Sequence, residues 1–149
     1  MPLGYAAPVQ LDYAILADGV STRPDGKFDI SGAGWDTIHA AAVPATHARL
    51  TLVVRLLISR PEAEHPHSLT VIVQGPDGEE ISRAVGKGEA LSEEERARIS
   101  LTRRASISLV LNFDGLVFPT YGDYQLVIQW DGNEARPPLQ LVVAPLPQP

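Results

Sequence analysis

Residues 121–132 constrain the fold of this chain more than any other part of the sequence. After Tyr121, this stretch runs from Gly122 through Tyr124 and alternating apolar residues to Trp130, and it ends in an Asp-Gly pair. A tyrosine two residues after a glycine, followed by an alternating strand, is typical of the corner where a chain passes between the two sheets of a sandwich. In such a corner the tyrosine hydroxyl bonds to nearby backbone. The pattern therefore predicts an architecture, and it predicts no chemistry.

Apolar residues recur with a period of two along much of the chain. The clearest case covers residues 49–59, in which every second residue from Leu50 to Ile58 is apolar. This period is that of a β-strand with one buried face. The same pattern, in places weaker, predicts further strands at residues 11–15, 28–30, 69–73, 80–85, 107–111, 124–130 and 139–143. About eight short strands at regular spacing predict an all-β, single-domain antiparallel β-sandwich of the immunoglobulin-like type.

Turn and helix signals agree with this fold class. Glycine adopts positive φ at no cost and aspartate tolerates it, so Asp-Gly pairs suit hairpin turns better than calcium loops here. The pairs are Asp18-Gly19, Asp25-Gly26, Asp77-Gly78, Asp114-Gly115 and Asp131-Gly132. Ser92 followed by Glu95 is a capping box, which predicts at most one short helix, over residues 92–98.

Length and composition set the expected organisation. The 149 residues suffice for one domain with its own core. We expect a flexible lead-in over residues 1–10, the sandwich over residues 11–144 and a proline-rich tail over residues 145–149. The sequence has no secretory leader and no long apolar run, which predicts a cytoplasmic protein without a membrane partner. The formal net charge of −6 disfavours a nucleic-acid partner.

Histidines provide the first candidate for a metal site. His65 and His67 lie two residues apart, and His39 or His47 is a conceivable third ligand. The chain has no cysteine and no carboxylate pair at ligand spacing. We therefore predict no metal and no other cofactor, and we interpret residues 65–67 as a polar loop with two exposed histidines.

Catalytic motifs are not evident either. No Gly-x-Ser-x-Gly elbow is present. The glycine-rich residues 31–36 lack the lysine of a phosphate loop and precede no predicted helix, so they indicate a bent strand. We therefore expect no catalytic residues and no enzymatic activity.

Apolar residues on the expected solvent side of the strands are the most suggestive surface feature. They are Val53, Leu57, Ile72, Val110, Val127 and Val142. If their strands lie side by side, they form a contiguous patch of the kind that marks an interface. If the strands are apart, these residues are ordinary β-branched and apolar strand residues.

Two functions remain open on this basis. The first is a non-catalytic protein-interaction module, with a protein partner or with self-association as a homodimer. The alternative is a small-molecule- or carbohydrate-binding sandwich that uses an exposed Trp35, Trp130 or Tyr121 as a stacking platform.

Three segments resemble a known family. They are the Tyr-Ala-Ile-Leu-Ala-Asp run at residues 13–18, the Gly-Trp-Asp phrase within residues 32–38, and the Asn-Phe-Asp-Gly-Leu-Val-Phe-Pro run at residues 112–119. Together they are similar to a family of small bacterial proteins, frequent in actinobacteria, that is known as a domain of unknown function. The likeness covers roughly residues 11–143. It implies a bacterial, stand-alone, mostly β protein, and it implies no catalytic residues.

Overall fold

The computed structural model describes residues 9–97 and 104–148. Its strands are β1 (Val9–Thr22), β2 (Phe28–Ala33), β3 (Thr37–Ala40), β4 (Ala45–Ile58), β5 (His67–Gln74), β6 (Glu80–Gly88), β7 (Ala105–Phe118), β8 (Gly122–Trp130), β9 (Asn133–Glu134) and β10 (Leu139–Pro145). One short helix, α1 (Glu93–Ala97), and a 3-10 turn over Pro61–Glu64 occur among them. The predicted all-β class is confirmed.

The strands form two sheets that enclose one core. The four-stranded sheet has the order β2-β1-β4-β7, and the six-stranded sheet has the order β3-β10-β8-β5-β6, with β9 paired to β8. Neighbouring strands are antiparallel throughout both sheets, with the exception of β3 beside β10. The predicted single-domain, immunoglobulin-like sandwich is thus confirmed. The sequence did not indicate β3 and β9, because strands of four and two residues are too short to show a period.

Alternating side chains of β8 point toward the core and away from it. Tyr124, Leu126 and Ile128 belong to the core cluster, whereas Val127 is buried on the other face and lies outside that cluster. Their core partners come from both sheets and include Leu52, Val54, Leu56, Leu69, Val71, Leu111, Phe113, Leu141 and Val143. The faces of β8 were therefore predicted correctly from period two alone.

Tyr124 forms the predicted corner between the sheets. Its side chain is fully buried, and its hydroxyl donates to the carbonyl of Thr120 at 2.7 Å and accepts from the Thr120 amide at 3.2 Å. The ring meets Phe118 edge-on, with centroids 5.0 Å apart. Because Phe118 ends β7 in one sheet and Tyr124 lies in β8 of the other, these contacts fix the crossing of the chain between the sheets.

Three of the five Asp-Gly pairs lie in turns. Asp131 and Gly132 have φ values of 44° and 78° and join the paired residues Trp130 and Asn133, which is the geometry of a two-residue hairpin. The pairs at 25–26 and 77–78 also lie in turns between strands. The pairs at 18–19 and 114–115 lie inside β1 and β7, because these two strands are longer than the alternation predicted.

The predicted capping box forms at the start of α1. The Glu95 amide donates to the Ser92 hydroxyl at 3.1 Å, and the Ser92 amide donates to the Glu95 carboxylate at 3.2 Å. The end of the predicted helix, at residue 98, lies outside the described residues.

Strands β1 and β10 each extend by one or two residues beyond the predicted limits of the sandwich. Most of the lead-in, residues 1–8, lies outside the described residues, whereas Val9 and Gln10 belong to β1 and pair with β4. At the other end, Pro145 is the last residue of β10 and pairs with Ala40. None of the described helices is long and apolar enough to cross a membrane.

Candidate functional site

Two of the three predicted stacking residues are tied into the framework. Trp130 is buried, and its indole N–H donates to the carbonyl of Val9 at 3.2 Å. Tyr121 is half-buried, and its hydroxyl donates to the carbonyl of Ala40 at 3.0 Å. These contacts hold β1 to β8 and β3 to the β7–β8 corner, so we assign both residues a structural role.

Trp35 has a different environment from the other two aromatic residues. It is half-buried and lies beside a cleft of about 270 Å³. The cleft is lined by both sheets, through Asp18, Trp35, Thr37, Ile38, His39 and His47. The ring is positioned by a hydrogen bond from its N–H to the carbonyl of Gly32 at 2.7 Å and by contact with the His47 ring, 6.0 Å away. Trp130 also borders two larger clefts, of about 520 and 530 Å³, but its side chain is only 8% exposed, whereas Trp35 is half-buried and therefore more accessible beside its own cleft.

Gly32 leaves room for the Asp18 side chain beside this cleft. Its φ of 58° lies in the left-handed region, and a Cβ there would collide with the Asp18 carboxylate. The Gly34 amide donates to the carbonyl of Leu16 at 3.1 Å, so the bend of residues 31–36 packs on β1. Both contacts agree with the bent strand that the glycines predict. Pairing of β1 with the bend is non-local, and for that reason the sequence did not indicate Asp18 as a cleft residue.

The histidines do not gather into one cluster. His39 and His47 line the Trp35 cleft, whereas His67 begins β5 and His65 follows the 3-10 turn just before it. Within residues 9–97 and 104–148, no group of three His, Asp or Glu side chains is arranged to hold a metal ion. The prediction that both histidines of the 65–67 loop are exposed is wrong for His67, which is only 4% exposed.

His67 connects two turns at one end of the sandwich. Its Nε2 lies 2.7 Å from the carbonyl oxygen of Glu62, and its Nδ1 lies 2.8 Å from the Asp131 carboxylate. Both acceptors need a proton, so the arrangement is fully bonded when the imidazole is charged. Burial opposes that charge, but the hydrogen bonds to Glu62 and Asp131 and the charges of both carboxylates outweigh it and raise the pKa of His67. With both nitrogens bonded within the protein, His67 has no free nitrogen to act as a base.

The six predicted interface residues divide between the two sheets. Val53, Leu57 and Val110 lie in the four-stranded sheet, whereas Ile72, Val127 and Val142 lie in the six-stranded sheet. None of them belongs to the core cluster, so the two sets lie on opposite outer faces of the sandwich. A single patch of all six residues is therefore not formed, because strand order separates them.

The outer face of the four-stranded sheet carries the more continuous apolar surface. Ile15, Val53 and Val110 are directly paired across β1, β4 and β7 and form one apolar row. Val53, in the central strand, is fully buried, whereas the two flanking residues are half-buried. On the six-stranded sheet, Ile72 and Val127 are paired but lie among glutamine, threonine and arginine residues.

Charges on this outer face occur in pairs. Arg49 donates to both oxygens of Asp114, at 2.6 and 3.2 Å, and Arg55 lies 3.3 Å from Asp12. The hydrogen bond from Arg49 lowers the pKa of Asp114, so this pair stays ionised at neutral pH. The face therefore combines an apolar centre with a rim of neutralised charge and of polar side chains.

Comparisons with known proteins concern the whole domain. The model described as "Family of unknown function (DUF6941)" matches residues 12–143. No curated protein matches the chain. Among solved structures, the chain is similar to the "Crystal structure of the C-terminal domain of wzt", at 9% identity and a TM-score of 0.46, over 93% of this chain and 75% of that chain. We draw no functional argument from a similarity this distant.

Proposed function

Because the chain belongs to DUF6941, a family of unknown function, we propose its role from its own surface. It is a non-catalytic interaction module that associates with a second copy of itself through the outer face of the four-stranded sheet. The observation that carries this proposal is the apolar row of Ile15, Val53 and Val110 across three adjacent strands, over which no described strand packs.

The size of the face supports a dimer. β1, β4 and β7 contain 14 residues each. With a rise of about 3.4 Å per residue and a spacing of about 4.8 Å between strands, their outer face measures roughly 700 Å². Two copies packed over this face would bury about 1,400 Å², which lies in the range of about 1,200–2,000 Å² for specific interfaces.

Charge also favours a second copy over a charged partner. Each molecule has a formal net charge of −6, which would normally repel an identical molecule. On this face, however, Arg49 and Arg55 neutralise Asp114 and Asp12, so that two copies meet without local repulsion. A two-fold axis is the commonest way in which one such patch satisfies itself.

The test is the mass in solution of three proteins. Gel filtration with light scattering should give wild-type protein about twice the monomer mass of 16.1 kDa at micromolar concentration. Val110→Lys should shift the mass to that of the monomer, because it buries an unpaired charge in the contact. The circular dichroism spectrum of Val110→Lys should remain that of a folded β protein.

Val142→Lys is the matched control. Val142 is also a half-buried valine on an outer face, but it lies on the six-stranded sheet, so this variant should remain a dimer. A monomeric wild type would refute self-association. If Val142→Lys dissociated the dimer and Val110→Lys did not, the interface would lie on the six-stranded sheet, and the proposed face would be wrong.

A further inference from the structure

The cleft beside Trp35 has an aromatic wall whose position is fixed. The N–H of the indole donates a hydrogen bond to the Gly32 carbonyl, and the rest of the ring packs against the core. The His47 ring lies at 58° to it, and Ile38 adds an aliphatic wall. A platform already fixed in place loses little side-chain freedom when a ligand stacks on it.

The polar groups of the cleft are mostly hydrogen-bond acceptors. Asp18 contributes a carboxylate held beside Gly32. His39 Nδ1 lies 3.1 Å from the carbonyl oxygen of Pro145, so this nitrogen carries a proton, and Nε2 is the ring nitrogen that can accept a hydrogen bond. The hydroxyl of Thr37 donates to Asp36 at 2.9 Å, which leaves its oxygen to accept. A matching ligand must therefore bring several O–H or N–H donors.

Size and charge narrow the class of ligand. A volume of about 270 Å³ falls below the range of about 300–1,000 Å³ for drug-sized ligands, so the cleft suits a single ring. An anion is disfavoured by Asp18 and by the net charge of −6. A quaternary ammonium ion would suit Asp18 and the indole, but it has no O–H or N–H to donate to the acceptors of His39 and Thr37.

We infer that the cleft lined by Asp18, Trp35 and His39 binds one neutral sugar ring. The apolar C–H face of the ring stacks on the Trp35 indole. The hydroxyl groups on its edge donate to the Asp18 carboxylate and to His39 Nε2. This cleft lies between the sheets and not on the outer face proposed for self-association. Failure of one proposal therefore does not contradict the other.

NMR of the ¹⁵N-labelled protein tests this assignment directly. The chain has two tryptophans, whose indole N–H signals report on Trp35 in the cleft and on the buried Trp130. Glucose, galactose, mannose and N-acetylglucosamine are titrated separately to about 50 mM, above the millimolar dissociation constant expected for one ring. At least one sugar should shift the Trp35 signal saturably and leave the Trp130 signal in place.

Two matched variants identify the acceptor. Asp18→Asn should lower the affinity for the sugar about tenfold or more, because hydrogen bonds to a charged acceptor are lost. Asp29→Asn makes the same change of charge at an exposed position of β2 outside the cleft and should leave the affinity unchanged.

Three results would overturn the proposal. The first is that no sugar in the panel shifts the Trp35 signal, or that both indole signals move alike. The second is that Asp18→Asn and Asp29→Asn weaken binding equally. The third is that tetramethylammonium shifts the Trp35 signal whereas the sugars do not, which would assign the cleft to cations.

Discussion

The corner residue Tyr124 gives the sharpest test of the fold, because its ring and its hydroxyl contribute separately. The side chain is fully buried and touches Phe118, so Tyr124→Ala removes a whole core aromatic. Truncations of this kind cost about 3–5 kcal/mol in free energy of unfolding, from lost burial and the cavity left behind.

Tyr124→Phe isolates the hydroxyl. Two hydrogen bonds to Thr120 are lost, but Thr120 is exposed and its backbone groups can bond to water instead. The cost should therefore be about 1 kcal/mol, the usual net value of a hydrogen bond. The ring should thus account for roughly 2–4 kcal/mol of the loss in Tyr124→Ala.

Urea denaturation followed by circular dichroism measures both values. Tyr13→Phe is the control, since Tyr13 is half-buried on the outer face of the four-stranded sheet and its hydroxyl has no hydrogen bond in the described structure. This variant should change the free energy of unfolding by less than about 0.5 kcal/mol. Equal and negligible effects of both Tyr124 variants would refute the corner, and an equal, large effect would mean that the hydroxyl and not the ring dominates.

Two further predictions concern His67 and Gly32. Because the pKa of His67 is raised above its ordinary value of 6.5, its contribution to stability is complete below that pH and is lost as the pH rises through the folded-state pKa. Urea midpoints should therefore fall with rising pH more steeply in wild type than in His67→Gln. Gly26→Ala should cost about 1 kcal/mol from its positive φ, and Gly32→Ala should cost more, because its Cβ would also collide with the Asp18 side chain. In urea titrations, a negligible cost for Gly32→Ala would contradict the left-handed bend, and only this variant should displace Asp18.

The sequence predicted those parts of the fold that local pattern determines. Alternation identified the inward face of β8, and the Gly-x-Tyr signal identified the corner at Tyr124, because both depend on neighbouring residues alone. Strand order does not depend on neighbouring residues. Val53 and Val127 therefore look equivalent in sequence, although the sheets place them on opposite sides of the molecule.

The surroundings of the histidines were not predictable for the same reason. His67 follows a proline in a polar segment, which suggests an exposed loop, and its burial depends on Asp131, 64 positions later in the chain. His39 and His47 looked like distant candidates for a metal site with His67. The pairing of β3 with β10 and of β4 with β1 instead brings them to the cleft beside Trp35, where we propose that His39 contacts a ligand.

The two proposed surfaces share strands but occupy opposite sides of them. In β1, Ala17 is fully buried and continues the outer face of Ile15, whereas the next residue, Asp18, reaches the cleft. Adjacent side chains of a strand point to opposite faces, so a change on one surface leaves the other nearly untouched. We therefore expect Val110→Lys to abolish association without changing the response of Trp35 to sugars, and Asp18→Asn to do the reverse. If either variant impaired both properties in the solution measurements, the two surfaces would be coupled through β1, and the separation argued from strand geometry would be wrong.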